Sequence, residues 1–109
     1  MINTWDAPRN LMMQALVVGV LEMSADGCLY LRHGDSRSDA VWPYGFTADI
    51  DDRGSVVVLD DTGAVVARVG MPLSAAGGFV EAGQQLACRV TGPDDDVTSV
   101  DGEMEMRSP

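Results

Sequence analysis

Three short polar turns, each ending in glycine, limit the folds open to this sequence more than any other feature. They are Ser24-Ala25-Asp26-Gly27, Asp51-Asp52-Arg53-Gly54 and Asp60-Asp61-Thr62-Gly63. A glycine at the end of such a turn takes up the positive φ that hairpin loops need, and a leading Asp or Ser bonds back to the following backbone. The runs that flank the turns are short and rich in Val and Leu. This regular spacing predicts an antiparallel meander of β-strands.

The apolar runs between the turns predict six strands, at residues 14–23, 28–32, 46–50, 55–59, 64–69 and 86–90. Gly19 interrupts the first strand, as is typical of a bulge or a sharp bend. Residues 33–39 are predicted to form a polar loop, and residues 70–85 a loop across one barrel end with a turn of helix at 80–84. Because edge strands need covering, the first strand is expected to close onto later ones. The predicted fold is a small all-β, five- or six-stranded antiparallel barrel that is OB-like.

The chain of 109 residues is divided by this pattern into three parts. Residues 1–13 are an N-terminal extension, and residues 14–91 form the β-barrel domain. Residues 92–109 are acidic and poor in core residues, so we expect a flexible tail that is dispensable for folding. The predicted core includes Leu29, Val58, Val65 and Val69.

The charge of the chain is strongly negative, with 17 acidic residues against 7 basic ones and a net charge of −10. Nucleic acid is excluded as a partner by this balance, because phosphate binding needs a basic face. The apolar run at residues 11–21 is too short to span a bilayer, and we interpret it as a buried strand rather than the core of a signal peptide. The charge is explained by solubility or by a basic protein partner.

The two cysteines, Cys28 and Cys88, are compatible with one disulfide or with two buried thiols. Leu29 and Leu31 take the inward face of the predicted second strand, which turns Cys28 outward. Cys88 falls on the inward face of the strand predicted at 86–90. Since the two side chains would lie on opposite sides of the barrel wall, we predict that they do not pair.

The aromatic cluster Trp42-Pro43-Tyr44-Gly45-Phe46 contains the candidate ligand-binding residues, which are Trp42, Tyr44 and Phe46. Aromatic rings in a loop at a barrel mouth can stack on sugars or bases. The alternative is that Trp42 closes the barrel end as part of the core, with Pro43 fixing the corner.

No pattern for catalysis or for a cofactor is present. His33 is the one histidine, and Asp35 and Ser36 follow it so closely on a predicted loop that triad geometry is disfavoured. The sequence therefore favours a protein that is not an enzyme and carries no cofactor.

A metal site is disfavoured as well. The run Asp49-x-Asp51-x-Arg53-Gly54 resembles part of a calcium loop, but Arg53 stands where an oxygen ligand belongs. The acidic turns are interpreted as solvated hairpin ends.

Four segments together resemble a pattern found in small bacterial domains. They are Gly27-Cys28-Leu29-x-Leu31, Val41-Trp42-Pro43-x-Gly45, Val56-x-Val58-x-Asp60-x-x-Gly63-x-Val65-Val66-Ala67-x-Val69-Gly70 and Gly77-Gly78. The chain is similar in this to the β-barrel domains of uncharacterised lipoproteins and secreted proteins, many of them actinobacterial. The resemblance implies an exported, envelope-associated protein and implies no activity.

The function predicted from these features is a non-catalytic β-barrel module that binds or scaffolds an unknown protein, small molecule or saccharide. The alternative is an acidic inhibitor or immunity-type protein that docks on a basic partner protein.

Overall fold

The computed structural model describes residues 2–5, 15–80, 88–91 and 97–106. Every regular element in these residues is a strand, so the prediction of an all-β protein is confirmed. The strands in chain order are β1 Asn3–Thr4, β2 Ala15–Met23, β3 Leu29–His33, β4 Ser36–Trp42, β5 Thr47–Ile50, β6 Val56–Leu59, β7 Val65–Arg68, β8 Pro72–Val80 and β9 Val97–Met106.

Five of these strands close into a barrel in the order β4-β3-β2-β8-β9. Neighbours in this order are antiparallel, and a parallel pairing of β4 with β9 closes the ring, with Ala40 opposite Thr98 and Val41 opposite Ser99. The predicted small barrel is therefore confirmed, and it is mixed rather than antiparallel throughout. The long first barrel strand, β2, lies between β3 and the late strand β8, which is the closure expected from the sequence.

The barrel core follows from the two-residue period of its strands. On β2, Val17 and Leu21 are buried, whereas Leu16 on the other face is 75% exposed, so only one of its two apolar faces packs inward. The predicted core residues Leu29 and Val58 are buried, and Val69 packs partly against the same cluster. The buried members of this cluster are Val17, Leu21, Leu29, Leu31, Ala40, Trp42, Val58, Ala67, Leu73, Ala75 and Val100.

Strands β5, β6 and β7 form a separate three-stranded antiparallel sheet. They pair in the predicted meander, but they lie outside the barrel, whereas the sequence predicted them as barrel strands. Its turns end in Gly54 and Gly63, which have φ angles of 81° and 88°. Val65 was predicted to lie in the core, and this is wrong, because its side chain is 41% exposed. A register irregularity between Val58 and Leu59 explains the difference, since a bulge there breaks the alternation that would place Val65 on the same face as Ala67.

Two stretches predicted as loops are strands. The turn after β3 is confined to Gly34 and Asp35, and β4 begins directly after it. The small residues of β8 resemble a loop, but they are needed because β9 packs so closely: a Cβ at Gly77 would collide with the backbone of Ser99. The predicted helical turn fails at Val80, which ends β8, and its other residues lie outside the described part of the chain.

The C-terminal prediction also requires correction. The expected flexible tail contains β9, whose residues Val97, Thr98, Ser99 and Val100 are buried. The sequence conceals this strand because two of these four consecutive buried residues, Thr98 and Ser99, are polar. The strand predicted at residues 86–90 is not seen at residues 88–90, and residues 86 and 87 lie outside the described part of the chain.

The two cysteines form a disulfide, with Cα atoms 5.6 Å apart, so the prediction that they remain unpaired is wrong. The argument from strand faces fails because neither residue belongs to a strand: Cys28 precedes β3, and Cys88 lies in the irregular 88–91 segment. Asn3 also holds this segment, because its Nδ2 donates to the Cys88 carbonyl (2.6 Å) and its Oδ1 accepts from the Cys88 amide (2.8 Å).

Candidate binding groove

The chain between the barrel and the three-stranded sheet turns sharply at Pro43-Tyr44-Gly45-Phe46. The amide of Phe46 donates to the carbonyl of Pro43 (3.2 Å), and Gly45 has a φ of 90°. A turn with positive φ at its third residue requires glycine or asparagine there. This turn carries Phe46 back toward the end of β4.

The three predicted site residues lie together but in different environments. Trp42 is fully buried in the core, and its indole N–H has no hydrogen-bond partner among the described residues. Phe46 is half-buried and stacks on Trp42 with ring centroids 6.4 Å apart, while Tyr44 is 53% exposed. The position of Trp42 agrees with its alternative role as a core residue that closes the barrel end. Ligand binding by these residues stays a prediction.

A groove of about 280 Å³ lies where the three-stranded sheet meets β9. One side comes from the turn after β4, from the turn between β6 and β7 and from β7, and the other comes from β9. We call it the Phe46 groove; its lining residues are Pro43, Phe46, Asp60, Val66, Asp101, Gly102 and Met104. Its surface thus combines an aromatic ring, aliphatic and thioether groups and two carboxylates.

The carboxylate of Asp60 is held in place by its own hairpin turn. Its Oδ1 accepts the Thr62 hydroxyl (2.6 Å), the Thr62 amide (2.9 Å) and the Ala64 amide (3.0 Å). The hydroxyl of Thr62, followed by the amide of Ala64, lowers the pKa of Asp60 below its ordinary value. Asp60 therefore remains ionised at neutral pH and can only accept hydrogen bonds.

The second carboxylate of the groove belongs to Asp101 on β9. Its Oδ1 accepts the hydroxyl of Ser99 at 2.7 Å. Asp60 and Asp101 are 41 positions apart in the sequence and come together only because β7 lies beside β9. Sequence reasoning identified Phe46 but missed Asp60, Asp101 and Met104, because it placed β9 in a flexible tail.

His33 does not assemble with Asp35 and Ser36. Its Nδ1 lies 2.8 Å from the carbonyl of Val18, and its Nε2 lies 2.9 Å from the hydroxyl of Ser38, which is bonded in turn to Thr98 at 2.7 Å. A carbonyl can only accept, so Nδ1 carries a proton and donates it to the carbonyl of Val18.

The ring of His33 occupies space that Gly19 leaves open, since a Cβ at Gly19 would lie 3.2 Å from His33 Nδ1. Gly19 was predicted to mark a bulge or a sharp bend, and it marks no bulge in the pairing of β2 with β8, which continues through it without a shift. Ser38 and Thr98 are buried, and this chain of hydrogen bonds links β3, β4 and β9.

A second polar cluster lies on the outer face of β2 and β3. Glu22 accepts from Arg32 Nε at 2.9 Å and from the Tyr30 hydroxyl at 3.0 Å. The hydrogen bond from Arg32 lowers the pKa of Glu22 most, and the bond from Tyr30 lowers it further. The same bond between Tyr30 and Glu22 raises the pKa of Tyr30. Arg37 on β4 stacks over the Tyr30 ring at 5.9 Å. The cluster is internally paired and crosses three neighbouring strands.

In the acidic turn that resembles a calcium loop, both carboxylate oxygens of Asp51 are bonded to donors of the protein itself. Asp51 Oδ1 accepts the amides of Arg53 and Ser55, both at 2.9 Å, and its other oxygen pairs with Arg68. In the part of the chain that the structure describes, no three acidic, cysteine or histidine side chains are grouped so as to hold a metal ion. Within the same residues, no helix is long and apolar enough to cross a bilayer.

No family model, curated protein or solved structure matches this chain. The groove is therefore interpreted from its own chemistry.

Proposed function

We propose that this protein is a non-catalytic binding module and that the Phe46 groove is its ligand site. The groove itself is the observation that carries the proposal. It brings a half-buried aromatic ring together with two carboxylates at the junction of two sheets. Few convergent polar groups on an otherwise apolar concave surface are typical of small-ligand sites. Its volume, near the lower end of the usual range, suits a single sugar ring or a single side chain.

The barrel supports this proposal as a scaffold. Five strands closed through a parallel pair give the site a rigid wall in β9. We propose that the barrel is of the OB type, a five-stranded Greek-key barrel that carries binding sites for oligonucleotides or oligosaccharides. The net charge of −10 disfavours the first of these ligand classes, because phosphate binding needs a basic face.

We further propose that the protein works in an oxidising compartment, as an exported or envelope-associated domain. The Cys28–Cys88 disulfide supports this location, because disulfides persist outside reducing compartments. The resemblance of the sequence to uncharacterised bacterial secreted proteins and lipoproteins points in the same direction.

Probe titration followed by NMR tests the groove. Methyl α-glucoside, butylurea and butylguanidinium are added separately while the methyl signals of Val66 and Met104 are recorded. We expect at least one probe to shift both signals in a saturable way and to be recovered unchanged. The substitution Phe46→Ala should abolish the shifts, whereas Phe79→Ala, at an exposed ring outside the groove lining, should not. Silence with all three probes, or shifts that survive Phe46→Ala, would contradict the proposal.

A second candidate function is an acidic inhibitor or immunity-type protein. It is favoured by the charge of the three-stranded sheet and its turns, which carry five aspartates against two arginines, one of them already paired with Asp51. Affinity capture from an envelope extract across a salt titration tests it. We expect a basic protein that is released as salt rises, since exposed charges are screened. Retention that does not depend on salt would contradict this reading.

A further inference from the structure

We infer that the Phe46 groove binds a guanidinium or ammonium group on a short apolar stem, as at the end of an arginine or lysine side chain. The inference rests on the proposed function, because it assigns the ligand class of the same groove. It goes beyond that proposal in excluding neutral sugars and anions as the preferred ligands.

The charge of the lining points to a cation. Asp60 and Asp101 bring two carboxylates to the groove, and none of its described lining residues is an arginine or a histidine. The three bonds to the Asp60 carboxylate from Thr62 and Ala64 all go to Oδ1, so these two residues leave Oδ2 unused. A guanidinium or ammonium donor can therefore approach Asp60 without displacing the turn that holds it.

The apolar part of the lining points to a cation carried on a hydrocarbon stem. Phe46 offers a ring, and Met104 and Val66 offer side chains that can contact methylene groups. A cation over an aromatic ring is attracted by the ring's electron-rich face, and arginine and lysine bury their stems along such surfaces. A hydrated metal ion would leave this apolar surface unused.

The size of the groove agrees with this ligand. At about 280 Å³ it is near the lower end of small-molecule sites, which suits one side-chain end better than an extended oligosaccharide. The net charge of −10 raises the local concentration of any cation, so a test must separate binding in the groove from this general attraction.

Butylguanidinium and butylurea test the inference, because they share nearly the same shape and differ in charge. The methyl signals of Val66 and Met104 report on the groove. We expect butylguanidinium to bind at least about fivefold more tightly than butylurea, as expected for hydrogen bonds assisted by charge. Equal affinities would overturn the inference and leave the binding module standing. No shift with either probe or with methyl α-glucoside would overturn both.

Two variants locate the charge that matters. Asp101→Asn keeps an oxygen that can accept from Ser99, and Asp60→Asn keeps one for the turn, so each removes charge with little change of shape. Each should weaken butylguanidinium binding by about threefold or more. Asp61→Asn is the matched control, because Asp61 is exposed in the same turn but does not line the groove. An equal loss in Asp61→Asn would show general attraction and overturn the inference.

N-acetyl-arginine amide distinguishes the two sources of such a cation. If it binds as tightly as butylguanidinium, the groove accepts an arginine side chain with its backbone attached, which supports a basic protein partner. If the backbone excludes it while butylguanidinium binds, the ligand is a free small cation. Both results support a cationic ligand. If neither compound binds, the inference is overturned.

Discussion

At the scale of single residues, Asp39 shows how a buried charge can fix the path of a distant segment. Its carboxylate is fully buried and accepts the Val90 amide (2.6 Å), the Thr91 amide (3.1 Å) and the Thr91 hydroxyl (2.6 Å). Arg89 lies 3.7 Å from the same carboxylate. The donors lie about fifty positions along the chain, so the sequence around Asp39 reads as a polar loop.

Replacing Asp39 by alanine should destabilise the protein by about 2–4 kcal/mol, because three partly buried donors of Val90 and Thr91 lose their acceptor. Chemical denaturation of the wild type and the variant gives the difference in unfolding free energy. Asp35→Ala is the control, since Asp35 is exposed in the turn after β3 and should change stability by less than about 0.5 kcal/mol. Equal effects of the two substitutions would contradict the role of Asp39.

Local chemistry explains which site residues were predictable. The turn at Pro43 and Gly45 follows from its own residue types. Because Trp42 and Phe46 flank this turn, their contact depends on local sequence alone. Asp60 and Asp101 meet only through the packing of β7 against β9. No local signal in the sequence indicates that contact.

At the scale of elements, the strand β9 decides whether a barrel exists. It pairs with β8 along most of its length and with β4 in parallel, and its buried Thr98 and Ser99 pair with both of these strands. Its sequence is acidic and contains few large apolar residues, which is why it was predicted as a tail. The small residues of β8 were misread for a related reason, since they serve the close approach of β9.

A truncation after Thr91 should abolish cooperative thermal unfolding, because it removes one of five barrel strands and exposes β4 and β8. A truncation after Met106 removes only residues 107–109 and serves as the matched control, with a Tm close to that of the full chain. Calorimetry compares the two. A Thr91 truncation that melts cooperatively within a few degrees of the control would contradict the assignment of β9.

The disulfide is the second long-range constraint at this scale, because it joins residues 60 positions apart. A loop of that length is expected to contribute about 4 kcal/mol of stability through the unfolded chain. The Cys28→Ser/Cys88→Ser double variant should therefore unfold at clearly lower denaturant concentration. Alkylation of the unreduced protein under denaturing conditions, followed by intact mass, checks the bond itself. Two alkylated thiols would contradict it.

At the scale of the whole molecule, carboxylates that accept hydrogen bonds in the folded state make the unfolding free energy depend on pH. The pKa values of Glu22 and Asp60 are lowered on folding from ordinary values of 4.5 and 3.8. Groups with a lowered folded pKa stabilise the protein fully above those values, and this contribution is lost as pH falls through the folded pKa. We expect the unfolding free energy to decrease below about pH 4.5.

The variant Tyr30→Phe tests this dependence, because it removes a hydroxyl that holds the Glu22 carboxylate in its charged form. Its unfolding free energy should fall less steeply between neutral pH and pH 3 than that of the wild type. Denaturation curves at a series of pH values measure both slopes. An unchanged or steeper slope in Tyr30→Phe would contradict the proposed linkage.

The overall class of the fold was predictable because it depends on local turn chemistry and short alternating runs. The closure of the barrel was not, since it depends on β4 and β9, whose polar residues are buried against one another. Ser38 on β4 bonds Thr98 on β9 at 2.7 Å, and both are buried. A search for apolar patterns in the sequence does not detect two strands whose contact is made by buried hydroxyl groups.

Hydrogen exchange of the β9 amides is the most direct measurement of the central claim, that the C-terminal strand closes the barrel and forms one wall of the Phe46 groove. NMR resolves the amides of Val97, Thr98 and Val100 individually. If the claim is correct, they exchange as slowly as Leu21 and Leu31 in the middle of the barrel, through unfolding of the whole domain. Exchange within seconds at these residues, while Leu21 and Leu31 remain protected, would contradict the barrel closure and the groove built on it.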